Sequence, residues 1–130
     1  MDESLPYGWF IQEWKEYLRI HRQTILPDSD ESDIIQSMNT KTGRYRWILK
    51  CVEEDTYRVS GADRKSWRRQ LRLAQQLREK CYLVIKFGSP AGQAVIIPIR
   101  KAIRLKRISS GIVGTPDCNG VFLPLNIFPF

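Results

Sequence analysis

The chain has 130 residues, a mass of 15.2 kDa and 42% hydrophobic residues with four tryptophans, which predicts one domain with a modest core of its own. No stretch approaches the roughly 18 to 20 apolar residues of a membrane span, and the first four residues lack the pattern of a signal peptide. We therefore expect an intracellular protein, cytoplasmic or, in a eukaryote, nuclear, whose net charge of +7 favours polyanionic partners.

Charge is unevenly distributed along the chain. Residues 1–60 carry eight Lys or Arg and 11 Asp or Glu, a net charge of −3, whereas residues 61–130 carry 13 and three, a net charge of +10. The positive field is therefore local to the second half, which is typical of a domain that binds nucleic acid on one face.

The first predicted element is a helix with an aromatic buried face. Phe10, Trp14, Tyr17 or Leu18, and His21 keep helical spacing over residues 9–21. His21 is the only histidine of the chain, so Ser–His or Cys–His catalysis would depend on it alone. Its place at the end of this helix predicts a partly exposed structural role instead, and we discount hydrolase chemistry of that kind.

Three predicted strands follow the helix. Short strands over residues 23–26 and 33–38 flank an acidic loop, and residues 44–51 alternate with a two-residue period. Residues 56–59 are predicted to extend or pair with that third strand. The alternation gives the third strand one apolar face and one mostly basic face, with three cations predicted to contact phosphates: Arg44, Arg46 and Lys50.

A basic helix is predicted over residues 63–80, capped by Ser60 or Asp63. An apolar stripe of Trp67, Leu71, Ala74 and Leu77 is expected to be buried. On the opposite face of the helix, cations four residues apart repel each other, and a bound polyanion would relieve this repulsion. The alternative is a solvated face whose charge only aids solubility. The cations predicted to contact phosphates are Arg64, Lys65, Arg68, Arg69 and Arg72.

The rest of the chain predicts two more strands and an apolar tail. Residues 82–87 are typical of a central strand, and residues 94–99 of an edge strand because of Pro98. Residues 100–108 form a second basic cluster, whose alternation from Ile103 onward suits an edge strand or a linker arm. They are predicted to extend the phosphate track through Arg104, Lys106 and Arg107.

The order of elements predicts an α/β sandwich around a small mixed sheet. We divide the chain into a nucleic-acid-binding domain, residues 1–108, and an apolar C-terminal tail, residues 109–130. The tail is predicted to pack on its own domain, to form a homodimer interface or to dock on another protein.

Three cysteines, Cys51, Cys81 and Cys118, are widely spaced. Their number and spacing fit neither a disulfide framework nor a zinc site with paired ligands. They are interpreted as structural thiols.

Three local motifs resemble the PD-(D/E)XK nuclease superfamily, and the archaeal Holliday-junction resolvases in particular. Residues 32–35, Ser-Asp-Ile-Ile, resemble the family's Pro-Asp-Ile-Ile strand, and residues 47–51 occupy the place of the strand that ends in Glu-x-Lys. The basic helix and the strands at 82–87 and 96–98 are similar to the family's helix, strand and Phe-Ile-Pro strand. The resemblance spans roughly residues 8–107 and implies a restriction-endonuclease-like fold.

The resemblance also implies a Mg²⁺-dependent cleavage site with Asp33 as a metal-binding carboxylate and Lys50 as the catalytic lysine. The position of the family's glutamate is Ile48, which cannot bind a hard cation. Asp28, which follows Pro27, is an alternative to Asp33 as the family's aspartate, and three carboxylates are candidates for the missing ligand: Glu53 and Glu54 beyond the strand, and Glu79 on the predicted helix.

We therefore expect a nuclease-like module or accessory subunit that binds DNA without cutting it, with low sequence specificity and no cofactor. One alternative is an active Mg²⁺-dependent endonuclease of DNA recombination, such as a resolvase. The other is an assembly protein that acts through the tail. RNA binding remains open beside DNA binding.

Overall fold

A computed structural model describes residues 5–27, 31–88 and 94–109, with side chains described from residue 10 onward. Asp28 and residues 110–130 lie outside these ranges, so the predictions for Asp28, Cys118 and most of the tail stay predictions. In chain order the elements are α1 (Leu5–Ile20), β1 (Thr24–Ile25), β2 (Ile34–Asn39), β3 (Gly43–Val52), β4 (Thr56–Arg58), α2 (Gly61–Leu77), β5 (Glu79–Phe87), β6 (Ala94–Pro98), α3 (Ile99–Ala102) and β7 (Arg107–Ser109).

Five strands form a mixed central sheet in the order β1-β2-β3-β5-β6. The pairs β1–β2, β2–β3 and β5–β6 are antiparallel, whereas β3 and β5 are parallel. A parallel pair needs a crossover connection, and α2 provides it. The predicted α/β sandwich with a small mixed sheet is confirmed, and β6 lies at the sheet edge as Pro98 indicated.

Helices cover both faces of the sheet. Phe10, Trp14 and Leu18 of α1 pack on one face against a cluster that includes Trp47 of β3. The other face packs against α2 and α3 and includes Ile48 of β3. Helices cover both faces of the sheet, so side chains on both sides of the middle of β3 are buried. The same covering explains the run of consecutive apolar residues in the middle of β5.

One prediction about strand pairing is wrong. β4 does not extend β3 but pairs antiparallel with β7 in a separate two-stranded sheet. In the second basic cluster, residues 100–102 belong to α3, and the strand expected from Ile103 onward is confined to β7. Pro98, with φ −55°, precedes α3, and the helix buries Ile99 and Ala102, three residues apart.

The end of α1 agrees with the structural role predicted for His21. Its backbone N–H still bonds to the carbonyl of Tyr17 at 3.2 Å, and the two rings lie 4.3 Å apart. Arg22 then reverses the chain with φ 63°. Within the described part of the chain, no helix has the length and apolar character needed to cross a membrane.

Candidate nucleic-acid interface

Helix α2 carries the densest run of basic side chains and has defined ends. Ser60 accepts a hydrogen bond from the backbone N–H of Asp63 at 3.0 Å, and Asp63 accepts one from the N–H of Ser60, which completes a capping box. Arg78 ends the helix in the left-handed conformation. Four of its cations are exposed to solvent: Lys65, Arg68, Arg69 and Arg72.

The buried face of α2 differs from the predicted apolar stripe at one turn. Trp67 and Ala74 are buried and Leu71 is half-buried, as predicted, but Leu77 is 42% exposed. Gln70 is buried instead, with 1% of its surface exposed. The helix therefore places an amide, not a leucine, against the sheet.

Arg64 behaves differently from the other cations of α2. Its side chain donates from Nε to the carbonyl of Ile103 at 3.1 Å and from Nη2 to the carbonyl of Leu105 at 2.9 Å. It therefore ties the first turn of α2 to the segment between α3 and β7. This side chain therefore joins the two predicted basic clusters, that of α2 and that of residues 100–108.

The second basic cluster is also exposed and lies next to the first turn of α2. Arg104, Lys106 and Arg107 are all solvent-exposed, and the backbone N–H of Val59 bonds to the carbonyl of Lys106 at 2.9 Å. Pairing of β4 with β7 sets exposed Arg58 directly opposite Arg107.

We use the name composite basic surface for the exposed cations of α2 together with those beside and within β7. Its members are Arg58, Lys65, Arg68, Arg69, Arg72, Arg104, Lys106 and Arg107.

The cations predicted on β3 occupy three different environments. Arg44 is exposed. Arg46 is buried under α2 and forms an ion pair with Glu79, with N to O 2.7 Å and side-chain exposures of 7% and 0%. Lys50 is partly covered: its ammonium lies 3.6 Å from Asp63 and 4.7 Å from the centre of the Tyr57 ring. The basic face of β3 is therefore largely an internal polar layer.

Asp33 lies directly before β2 and beside β3. Its carbonyl accepts a hydrogen bond from the backbone N–H of Leu49 at 2.9 Å. Burial raises the pKa of the Asp33 carboxyl, nearby Glu31 adds to the rise, and a backbone hydrogen bond, Lys50 and Arg69 oppose it. Asp33 is thus within electrostatic reach of Lys50.

Comparison with known proteins gives one structural relative to report. No protein-family model matches this chain, and no curated protein matches it. The chain is similar in structure to Hjc of Archaeoglobus fulgidus, a Holliday junction resolvase from an archaeal hyperthermophile. The TM-score is 0.50 at 13% sequence identity, over 85% of this chain and 92% of that chain.

The fold is restriction-endonuclease-like. Topology and structural similarity agree on this point, which the sequence motifs predicted. At 13% identity the similarity shows the fold alone, so the chemistry of the site rests on its own residues.

The nuclease-like motifs of the sequence predict Mg²⁺ beside Asp33, and the fit of such an ion depends on the residues around Asp33. Ile48, at the position of the second carboxylate, is 4% exposed and packs in the apolar core with Ile34 and Leu83. Among residues 5–27, 31–88 and 94–109, no three His, Cys, Asp or Glu side chains are grouped so that they could hold a metal ion. These residues therefore offer Mg²⁺ an incomplete set of ligands.

The alternative carboxylates have different positions. Asp33 lies beside Leu49, which pairs with Val84 of β5, so Glu79 is five strand residues away from the position of Asp33, about 17 Å along the strand. One ion cannot bridge that distance. Glu53 and Glu54 are exposed in the turn after β3, and Asp28 lies outside the described residues.

Sequence reasoning missed the contacts of two acidic residues in this region. Asp63, taken only as a helix cap, also pairs with Lys50 and accepts a hydrogen bond from the Tyr57 hydroxyl. Glu31 contacts Arg69 and Gln70 across the gap between the start of β2 and α2. The capping signal at Asp63 was visible in the sequence, whereas the contacts of Glu31 join residues 38 and 39 positions apart.

Proposed function

We propose that this protein is a DNA-binding module or accessory subunit that uses a restriction-endonuclease-like scaffold and does not cleave DNA. The composite basic surface supports the proposal: its exposed cations come from three separate segments of the chain, which the Arg64 contacts and the pairing of β4 with β7 hold next to one another. Clustered exposed cations of this kind attract a polyanion such as the DNA backbone.

The absence of cleavage is proposed from the side chains beside Asp33. Phosphodiester hydrolysis by this class of site needs a metal ion held by more than one oxygen ligand. Buried Ile48 supplies none, and the Lys50 ammonium is paired with Asp63. Low sequence specificity is proposed because arginine and lysine contacts to phosphates position DNA without reading its bases.

A salt titration with matched variants tests the binding surface. Labelled duplex, four-way junction and single-stranded DNA, together with an RNA duplex, are titrated with protein over a range of salt concentrations. Arg68→Gln with Arg72→Gln removes two members of the composite basic surface without adding negative charge. We expect the slope of log K against log salt to become shallower by about 1.8 for duplex DNA.

The control for that variant is Arg19→Gln with Arg22→Gln, which removes two exposed cations at the end of α1. Because α1 packs on the other face of the sheet, the slope of log K against log salt for this control variant should equal that of the wild type. Equal effects of the two double variants would mean that net charge alone governs binding and would refute the composite surface.

Cleavage is read from the same samples with Mg²⁺, Mn²⁺ or EDTA. Intact DNA under all three conditions supports a non-cleaving module. Metal-dependent cleavage that Asp33→Ala abolishes would establish the endonuclease instead. If no nucleic acid is retained even at low salt, the assembly function of residues 109–130, including a homodimer, takes precedence.

A further inference from the structure

Glu31 places a carboxylate between two donors of α2. It accepts hydrogen bonds from Arg69 Nη2 and, at 2.6 Å, from Gln70 Nε2. The Arg69 and Glu31 side chains are 53% and 36% exposed, whereas Gln70 is 1% exposed. One exposed cation and one buried amide thus converge on a single anionic group.

The buried amide of Gln70 is held in a fixed orientation. Its Oε1 accepts a hydrogen bond from Arg46 Nη1 at 2.7 Å, and Arg46 is held in turn by Glu79 at 2.7 Å. Gln36 donates to the second oxygen of Glu79 at 2.6 Å. Because the Gln70 oxygen is occupied by a guanidinium, its N–H groups must point outward to the position that Glu31 fills.

We propose that Arg69 and Gln70 form a binding site for a phosphodiester group of DNA, and that Glu31 occupies this site as an internal anion until DNA displaces it. The inference rests on the proposed DNA-binding function and adds a particular site to it. Carboxylate and phosphate oxygens accept hydrogen bonds from a guanidinium in the same geometry, so one can replace the other.

Displacement is favoured by the surroundings of the site. Arg68 and Arg72 are exposed on the same helix, so a DNA backbone that contacts them passes beside Arg69. A pair as exposed as Glu31 and Arg69 contributes little stability and is easily exchanged. The Gln70 amide, in contrast, keeps its orientation through the Arg46 and Glu79 contacts whether Glu31 is present or not.

Glu31→Gln tests the competition, because it removes the charge of the internal anion and keeps an oxygen that can accept from Gln70. We expect this variant to bind duplex DNA about threefold more tightly than the wild type. In an Arg69→Gln background the same substitution should have no effect. Glu16→Gln, an exposed site on α1 that pairs with Arg19, controls for the change in net charge.

Equal tightening by Glu31→Gln with and without Arg69 would show that Glu31 acts only through its long-range charge and would overturn the site. Unchanged affinity in both backgrounds would also overturn it. Urea unfolding of each variant establishes that affinities are compared between folded proteins.

Titration with inorganic phosphate separates this site from the wider DNA-binding proposal. In Glu31→Gln the side-chain NH₂ resonances of Gln70 should shift as phosphate is added, and the shift should disappear in Glu31→Gln with Arg69→Gln. Resonances that stay in place overturn the site even if DNA binds. A phosphate-dependent shift in a protein that fails to bind DNA would support the anion site and refute the proposed function.

Discussion

Arg46 donates from Nε to Oε1 of Glu79 at 2.7 Å, and the two side chains are only 7% and 0% exposed. The pair lies between the central sheet and α2, where Gln36 and Gln70 satisfy further hydrogen bonds. A charged pair in such a place is retained only with nearly complete hydrogen bonding, since taking both charges out of water is costly.

Removal of one partner of this pair should be strongly destabilising. Glu79→Ala leaves the Arg46 guanidinium buried without its counterion, and we expect a loss of about 3 to 5 kcal/mol in the free energy of unfolding. The double variant Arg46→Met with Glu79→Leu should lose much less free energy of unfolding, because neither charge of the pair then remains buried. Urea unfolding at neutral pH measures both.

The exposed pair of Glu16 and Arg19, with side chains 65% and 53% exposed, is the control for the buried pair. Glu16→Ala should cost less than about 1 kcal/mol. A Glu79→Ala protein as stable as Glu16→Ala would contradict the buried location of the ion pair.

Local signals in the sequence were sufficient for most elements. The helical spacing of Phe10 and Trp14, the capping residues Ser60 and Asp63 and the apolar run of β5 predicted helices and strands that the structure contains. Each signal arises from contacts within a few residues or from burial of one whole element. The order of these elements, with the short nuclease-like motifs, was enough to predict the restriction-endonuclease-like fold.

Contacts between distant segments could not be predicted in the same way. Alternation placed Arg46 on a basic face, but whether that face meets water or α2 depends on Glu79 and Gln70, 33 and 24 residues away. The pairing of β4 with β7 and the Arg64 contacts are also non-local. A periodic pattern indicates which residues share a face, and only tertiary packing decides what covers it.

Gly88 is predicted to be intolerant of any side chain. A Cβ atom built there would lie 1.7 Å from the carbonyl oxygen and 2.2 Å from the carbonyl carbon of Glu53. Backbone atoms cannot move aside as a flexible side chain can, so Gly88→Ala should cost about 1 to 3 kcal/mol or more. The midpoint of thermal or urea unfolding measures this cost.

Gly61→Ala is the matched control for Gly88. No atom lies within 4 Å of a Cβ at Gly61, which is the first residue of α2. Alanine there restricts the unfolded chain and should raise the free energy of unfolding by about 0.4 to 1 kcal/mol. If both substitutions had the same effect, the close approach of Gly88 to Glu53 would be wrong.

Asp33 should reduce stability at neutral pH. Burial raises the pKa of its carboxyl above the ordinary 3.8, so the folded protein binds the Asp33 proton more tightly than the unfolded chain does. Ionised Asp33 therefore costs folding free energy above its folded-state pKa, and this cost disappears as the pH falls below 3.8.

Asp33→Asn removes this cost and should be more stable than the wild type at pH 7. Its advantage should shrink as the pH is lowered through the raised pKa. Urea unfolding of both proteins across the acid range measures the difference, with Asp55→Asn, at an exposed carboxylate, as the control. A variant less stable than the wild type at pH 7 would refute the direction of this shift.

Cys81 should be chemically inert in the folded protein. It is 9% exposed in β5, and burial raises the pKa of its thiol to about 12, with Arg46 lowering it and Glu79 raising it. At pH 8 only about one thiol in 10,000 is then the reactive thiolate. In Cys51→Ser with Cys118→Ser, we expect a chromogenic disulfide reagent to label Cys81 at a rate set by unfolding, so urea should accelerate labelling steeply.

The comparison protein retains Cys51 and carries Cys81→Ser with Cys118→Ser. Burial also raises the pKa of the Cys51 thiol, and nearby Lys86 opposes the rise. Since Cys51 is only half-buried, its reaction needs a local opening and should be faster and less sensitive to urea. Equal labelling rates at the two cysteines in native buffer would mean that β5 opens as readily as the end of β3, which contradicts the placement of β5 inside the sheet.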